Sequence, residues 1–279
     1  MKKYFSIIAT LIFITSHAQV YVNSYDNSHI TAEGIFGSNK KIIETNISII
    51  DLSKQVNRVL SGGLHKFAEP KNVDISPILE ASKDIKGTEI VFRQQVIAQN
   101  ATSITITFDK LNLSKNAQLY LYNSEGTIIT GPITSIENIG INKLNKIWSS
   151  NSFVGNSVII ELKIPSKELN ENELHINKIL FGLPQSSDKT NSDSVSIGNF
   201  NASSSCNINV ICSQGNAMVN ERKAICLIST ADGGSASGAL INNSCNLLVP
   251  YLLTAWHVTN GRDPNSWTFL FGWWSEGGH

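Results

Sequence analysis

The sequence predicts an all-β chain in two parts, a β-sandwich-like region followed by the opening strands of a β-barrel. Three observations lead there. Between residues 88 and 183, short apolar runs recur between turn residues, and no segment there carries a strong helical period. Residues 184–205 are polar and rich in small side chains, a composition too poor in apolar surface to fold alone. Beyond that stretch four further apolar runs follow, and all four cysteines lie among them.

Lys2 and Lys3 precede an apolar run from Tyr4 to Ile14 that only Ser6 and Thr10 interrupt, and Ser16-His17-Ala18 offers small residues for cleavage. These are the parts of a secretory signal peptide over residues 1–18, and the run is shorter than the ~20 residues of a membrane span. The expected location is therefore secreted, extracellular or periplasmic, with no membrane span. From residue 19 to about 86 the pattern is mixed: Ile42-Ile43 and Ile47 to Leu52 fit strands or a short helix, and Leu60-Ser61-Gly62-Gly63 reads as a turn.

The β signal then becomes clear. Ile90-Val91-Phe92 and Val96-Ile97 share one run, and Ile104, Ile106 and Phe108 alternate with Thr105 and Thr107, the two-residue period of a strand with one buried face. Leu119 to Tyr122, the turn Asn123-Ser124-Glu125-Gly126 and Thr127 to Ile129 form strand, turn and strand. Val158 to Leu162 ends at Pro165, and Ile179 to Gly182 is a last short strand. The domain boundaries expected on this basis are 19–183, with the sandwich-like region at 88–183, a linker at 184–205 where proteases cut, and a second unit at 206–279. In that unit Ala224 to Ile228, Gly238 to Ile241, Tyr251 to Ala255 and Trp267 to Trp274 are the strands of an opening barrel.

Composition limits the function classes. Lysine plus arginine and aspartate plus glutamate number 22 each, so no basic excess points to nucleic acid. Cys206, Cys212, Cys226 and Cys245 contain no C-x-x-C pair, so neither zinc nor any other cofactor is expected. In an exported chain such clustering predicts disulfides confined to this region.

One segment carries chemistry. Pro250-Tyr251-Leu252-Leu253-Thr254-Ala255-Trp256-His257-Val258 is an apolar strand that ends in two small residues, with a histidine just beyond. Imidazole titrates near neutral pH and can accept a proton from a hydroxyl nucleophile, and the end of a strand holds it in place. With Ser205-Cys206-Asn207-Ile208-Asn209-Val210-Ile211-Cys212 and Ser237-Gly238-Ala239-Leu240-Ile241-Asn242-Asn243, in this order, the segment resembles the trypsin-like serine endopeptidases, and most of all the bacterial lysyl endopeptidase group.

The resemblance implies a secreted precursor acting on protein or peptide substrates, with residues 19 to about 200 as propeptide, folding helper and inhibitor. It implies the N-terminal part of a chymotrypsin-like double β-barrel, with His257 as the catalytic base of a Ser-His-Asp mechanism. Asp263, close after His257 in Arg262-Asp263-Pro264-Asn265, reads as a turn residue, and Gly233-Gly234-Ser235 as a loop between strands. The acid and the nucleophile are thus expected to be missing, the domain truncated and the chain inactive by itself, with Trp267, Phe269, Phe271, Trp273 and Trp274 left as an exposed apolar patch. Family members of this type carry a disulfide where this chain has Val258 and Ala236. Cys206 and Cys212 match cysteines whose family partners lie further downstream. Cys226 and Cys245 match none, and a disulfide between them stays open. Two alternatives also stay open: a non-enzymatic secreted β-sandwich binding protein, with Tyr120, Tyr122 and Trp148 as its binding face, and a pseudoprotease.

Overall fold

In the computed structural model the described residues are 42–47, 60, 63–124, 126, 128–135, 147–183, 208, 210–242 and 250–272. The signal peptide, the linker, Cys206, Cys245, Trp273 and Trp274 lie outside them. The first part of the chain forms β1 (Ile43–Asn46), β2 (His65–Lys66), β3 (Ala68–Ile75), a one-turn helix α1 (Pro77–Glu80), β4 (Ser82–Lys86), β5 (Glu89–Ile97) and β6 (Ser103–Asn112). It continues with β7 (Gln118–Asn123), β8 (Ile129–Ile133), β9 (Trp148–Ser149), β10 (Phe153–Val154), β11 (Ser157–Pro165) and β12 (Glu173–Gly182). The last part forms β13 (Ile225–Ser229), β14 (Gly234–Ile241), β15 (Tyr251–Leu253), the helix α2 (Trp256–Thr259) and β16 (Thr268–Phe271).

The protein is all-β, as its sequence predicts, in three sheets of which none closes into a barrel among the described residues. One sheet runs β1-β5-β11-β7-β8, with β4 also paired to β5. A second runs β10-β6-β12-β3, with β9 also paired to β6. Their facing sides share one core: Phe92, Val96, Leu119, Leu121, Ile160 and Leu162 from the first pack with Ile104, Ile106, Phe108, Ile176, Ile179 and Phe181 from the second. Two sheets, antiparallel except where β1 runs parallel to β5, joined by alternating inward residues make a β-sandwich. On β6 the alternation read from the sequence holds, since Ile104, Ile106 and Phe108 are fully buried. Its other face is covered as well, and Thr107 shares a hydrogen bond with Ser149 of β9 at 2.9 Å. The turn after β7 also holds: the Gly126 amide donates to the Asn123 carbonyl at 2.9 Å, and Gly126 adopts a φ of 68° that favours glycine.

The three aromatics on which the binding-protein alternative rests do not form one face. Trp148 lies in the core, its ring 5.7 Å from that of Phe108. Tyr122 is buried on the opposite side of the first sheet with Ile159, where Tyr120 is half-buried. Aromatic side chains gain more from covering a sheet than from standing in water, and these are spent on packing.

The middle of the second sheet carries a charged cluster. His175 of β12 lies between Asp109 of β6, 2.5 Å from Nδ1, and Asp74 of β3, 2.8 Å from Nε2. Hydrogen bonds to Asp74 and then Asp109 raise the imidazole above its ordinary value of 6.5. A histidine with a raised folded value contributes stability that is fully present below the ordinary value and is lost as pH rises through the folded one. Thermal midpoints are therefore expected to fall as pH rises from 6 towards 8 in the parent protein, and to fall less in His175→Gln.

Candidate active site

The third sheet runs β15-β14-β13-β16, with β2 also paired to β14. Its inner face is built on alternation. Cys226 and Ile228 point inward from β13 and join Val258 and Trp267 in one buried cluster, with Ala236, Leu252, Phe269 and Phe271 packed against it. Gly238 stands opposite Cys226, and a Cβ there would lie 2.9 Å from Ile228 Cδ1 and 3.4 Å from Cys226 Sγ. A side chain there would push against Ile228, which ties the glycine of Ser237-Gly238-Ala239 to the packing beneath it.

This core corrects one expectation. Trp267 is buried, and Phe269 and Phe271 are half-buried, so they form no exposed patch. Leu60 and Leu64 from the first part of the chain supply the missing surface by joining the same cluster. Cys212 and Cys226, the two cysteines among the described residues, are free thiols. Burial pushes the Cys226 thiol up to about 11, which suppresses its thiolate near neutral pH. In alkylation at pH 8 followed by mass mapping, Cys212 is expected to react in the folded protein and Cys226 only after unfolding. Val258 and Ala236, which stand where the resembling family has a disulfide, share this cluster, so apolar packing occupies that place.

The segment that bears His257 is fixed at both ends. Tyr251–Leu253 pairs with Ile241 back to Ala239. At its end the Thr254 hydroxyl donates to the Ser237 carbonyl at 2.8 Å, clasping the strand to β14. Ala255 is the cap residue of α2, and its carbonyl accepts from the Val258 amide at 3.0 Å. Val258 is buried and anchors the helix, while its neighbours Trp256 and His257 are exposed. The sequence places His257 just beyond the end of a strand, and the structure places it four residues after Leu253, where β15 ends, within this single helical turn.

A second tie lay beyond sequence reasoning. Arg262 Nε donates to Asp232 Oδ2 at 2.8 Å, and Arg262 Nη1 donates to the His257 carbonyl at 3.2 Å. Asp232 Oδ1 accepts from the Thr230 hydroxyl at 2.5 Å. Burial pushes the Asp232 carboxyl up, but the hydrogen bonds from Thr230 and Arg262 outweigh it and leave the group below its ordinary value. The β13–β14 turn thereby grips the backbone of the His257 helix through a charged, hydrogen-bonded bridge.

Asp263 does act as a turn residue: its Oδ1 accepts from the Asn265 amide at 3.0 Å and caps the helical turn at Pro264–Ser266. Gly233 is a turn glycine with φ of 83°, but Gly234 and Ser235, expected in a loop, already belong to β14. Among the described residues no carboxylate or hydroxyl is hydrogen-bonded to the His257 ring. No group of three metal-binding side chains converges among them, and none of their helices is long and apolar enough to cross a membrane.

The arrangement is an exposed imidazole on a rigid, doubly tied backbone, with its face open to incoming groups. Over residues 200–278, less than a third of the chain, the sequence matches the family model of the lysyl endopeptidase C-terminal domain. That span contains strands β13 to β16 and the His257 helix.

Proposed function

We propose that this chain is the leading portion of a secreted serine endopeptidase precursor related to the lysyl endopeptidases. One observation carries the reading: the stretch similar to the lysyl endopeptidase domain coincides with the sheet that holds His257 exposed on a fixed turn. In this reading β13 to β16 belong to the first barrel of a trypsin-like domain. His257 takes the proton of a serine hydroxyl as it attacks a peptide carbonyl, then returns it to the leaving amine. An aspartate orients the imidazole, and backbone amides hold the oxyanion. The acid and the nucleophile come from sequence outside residues 1–279, so a protein of these residues alone hydrolyses no peptide. Residues 1–18 direct export, and residues 19–183 form the propeptide. Cleavage after lysine would be the habit of the group, since nothing in this sheet forms the pocket that selects the side chain.

The test is direct labelling. Protein captured from its native source with an antibody to residues 225–271 is treated with a fluorophosphonate, which reacts with activated serines. The reading expects one labelled serine, in sequence outside this chain. Captured protein that has been processed free of residues 19–183 and still takes up no label overturns it.

A further inference from the structure

Residues 60–68 belong by sequence to the first part of the chain, yet they complete the sheet of the last. β2 pairs antiparallel with the start of β14, Lys66 opposite Gly234 and His65 opposite Ser235. β15 takes the far end of β14, at Ala239 to Ile241. The Ser235 hydroxyl donates to the His65 carbonyl at 3.3 Å. The Gly233 carbonyl accepts from the amides of both Phe67 and Ala68, at 2.8 and 3.2 Å.

Side chains lock the segment from two directions. Leu64 is 3% exposed and sits in the cluster of Cys226, Ile228, Val258 and Trp267, with Leu60 packed beside it. The two leucines are tied together, since the Leu60 amide donates to the Leu64 carbonyl at 2.9 Å. On the other side Phe67 and Ala68 bury themselves with Leu180 of β12, and Leu227 of β13 packs against them. The Leu183 amide donates to the Phe67 carbonyl at 2.8 Å, which fastens the same segment to the end of β12. Approach is so close that a Cβ on Gly233 would lie 1.9 Å from the Ala68 carbonyl oxygen. Strand addition of this kind gives affinity through main-chain hydrogen bonds and specificity through side-chain pockets.

We propose that residues 60–68 are a docking strap by which the N-terminal sandwich binds the His257-bearing sheet, so that the two units stay associated as a noncovalent complex when the chain is cut between them. The partner of the third sheet's β14 edge is thus the first unit of this same chain. Leu64 fills a core that also anchors Val258, which makes the strap a support for the His257 turn. The inference concerns two units of one chain and stands whether or not the peptidase reading does. Where that reading holds, the strap is the surface that keeps the propeptide on the domain after processing.

The experiment uses the full chain with a specific protease site inserted between Asp188 and Lys189, cut after purification and passed over a sizing column at micromolar concentration. Both fragments are expected to elute together. Gly233→Ala and Leu64→Asp attack the seam from opposite sides, and each is expected to weaken association at least tenfold. Gly261→Ala is the control: Gly261 has a φ of 73°, comparable to Gly233, but no atom lies within 4 Å of its added Cβ. It carries the backbone strain without the clash and should leave co-elution intact. Parent fragments that separate overturn the proposal. So do Gly233→Ala and Leu64→Asp fragments that stay together as tightly as the parent, or Gly261→Ala fragments that separate as readily as those of Gly233→Ala.

Discussion

Replacing His257 by alanine, in a protein that joins this chain to its acid and nucleophile, is expected to lower kcat by about 10⁴- to 10⁶-fold, the size of effect that follows loss of the base in a serine triad. KM should stay within a few-fold, because the imidazole moves a proton and binds little of the substrate. Stability should hardly change, since the side chain is exposed and Val258 carries the packing of the turn; exposed substitutions typically shift stability by no more than ~0.5 kcal/mol. The two readouts separate a base from a structural histidine. Steady-state hydrolysis of a peptide substrate, alongside urea unfolding of the same variant, measures both. Retained turnover, or a loss of stability large enough to explain lost turnover, contradicts the assignment.

The second large effect is on stability and lies far from His257. Arg93 of β5 and Glu161 of β11 are buried opposite each other in the first sheet, with Arg93 Nε donating to Glu161 Oε2 at 2.7 Å. The Tyr122 hydroxyl donates to the same oxygen at 3.0 Å. Burial pushes the Glu161 carboxyl above its ordinary value, against the hydrogen bonds from Arg93 and Tyr122 that pull it down. Arg93→Met strands a buried carboxylate and is expected to cost about 3–5 kcal/mol. Arg93→Met with Glu161→Gln removes both charges, leaves Tyr122 an acceptor and should recover at least half of that cost. A raised carboxyl binds its proton more tightly folded than unfolded, so its contribution declines as pH rises from the ordinary carboxylate value through the folded one. The single variant should therefore regain stability as pH falls towards 5, and the double should not. Urea titrations at two pH values check both. Equal costs for the single and double variants would mean that the charge of Glu161 is not what Arg93 offsets.

What the sequence made legible follows from where each strand sits. β5, β6, β7 and β11 lie inside their sheets or face the shared core, and their apolar runs announce them. β3 and β4 escaped notice. β3, Ala-Glu-Pro-Lys-Asn-Val-Asp-Ile, is an edge strand whose buried residues are Ala68 and Ile75, its two ends. An edge tolerates proline and invites charge, so it reads as loop. The first half of β12 was missed because its bulge and polar residues hide the alternation. β14 begins four residues before its apolar signal, at Gly234, because the strand there needs small residues beneath close neighbours.

The site divides in the same way. His257 could be found from local sequence, since an apolar strand, two small residues and a histidine fall within one short stretch, Pro250 to Val258. The Thr230–Asp232–Arg262 bridge could not, because its members come from two segments that meet only in the fold. Nor could the contribution of Leu60 and Leu64 to the third sheet, since nothing local in Leu60 to Leu64 says that the segment crosses from one unit to another.

The central claim is that His257 serves a serine nucleophile. Its most direct test is to read the coding sequence past the codon for His279 in all three frames. An aspartate at a barrel-compatible distance and, further on, a Gly-x-Ser-Gly turn are expected there. A stop followed by sequence that encodes neither would contradict the claim.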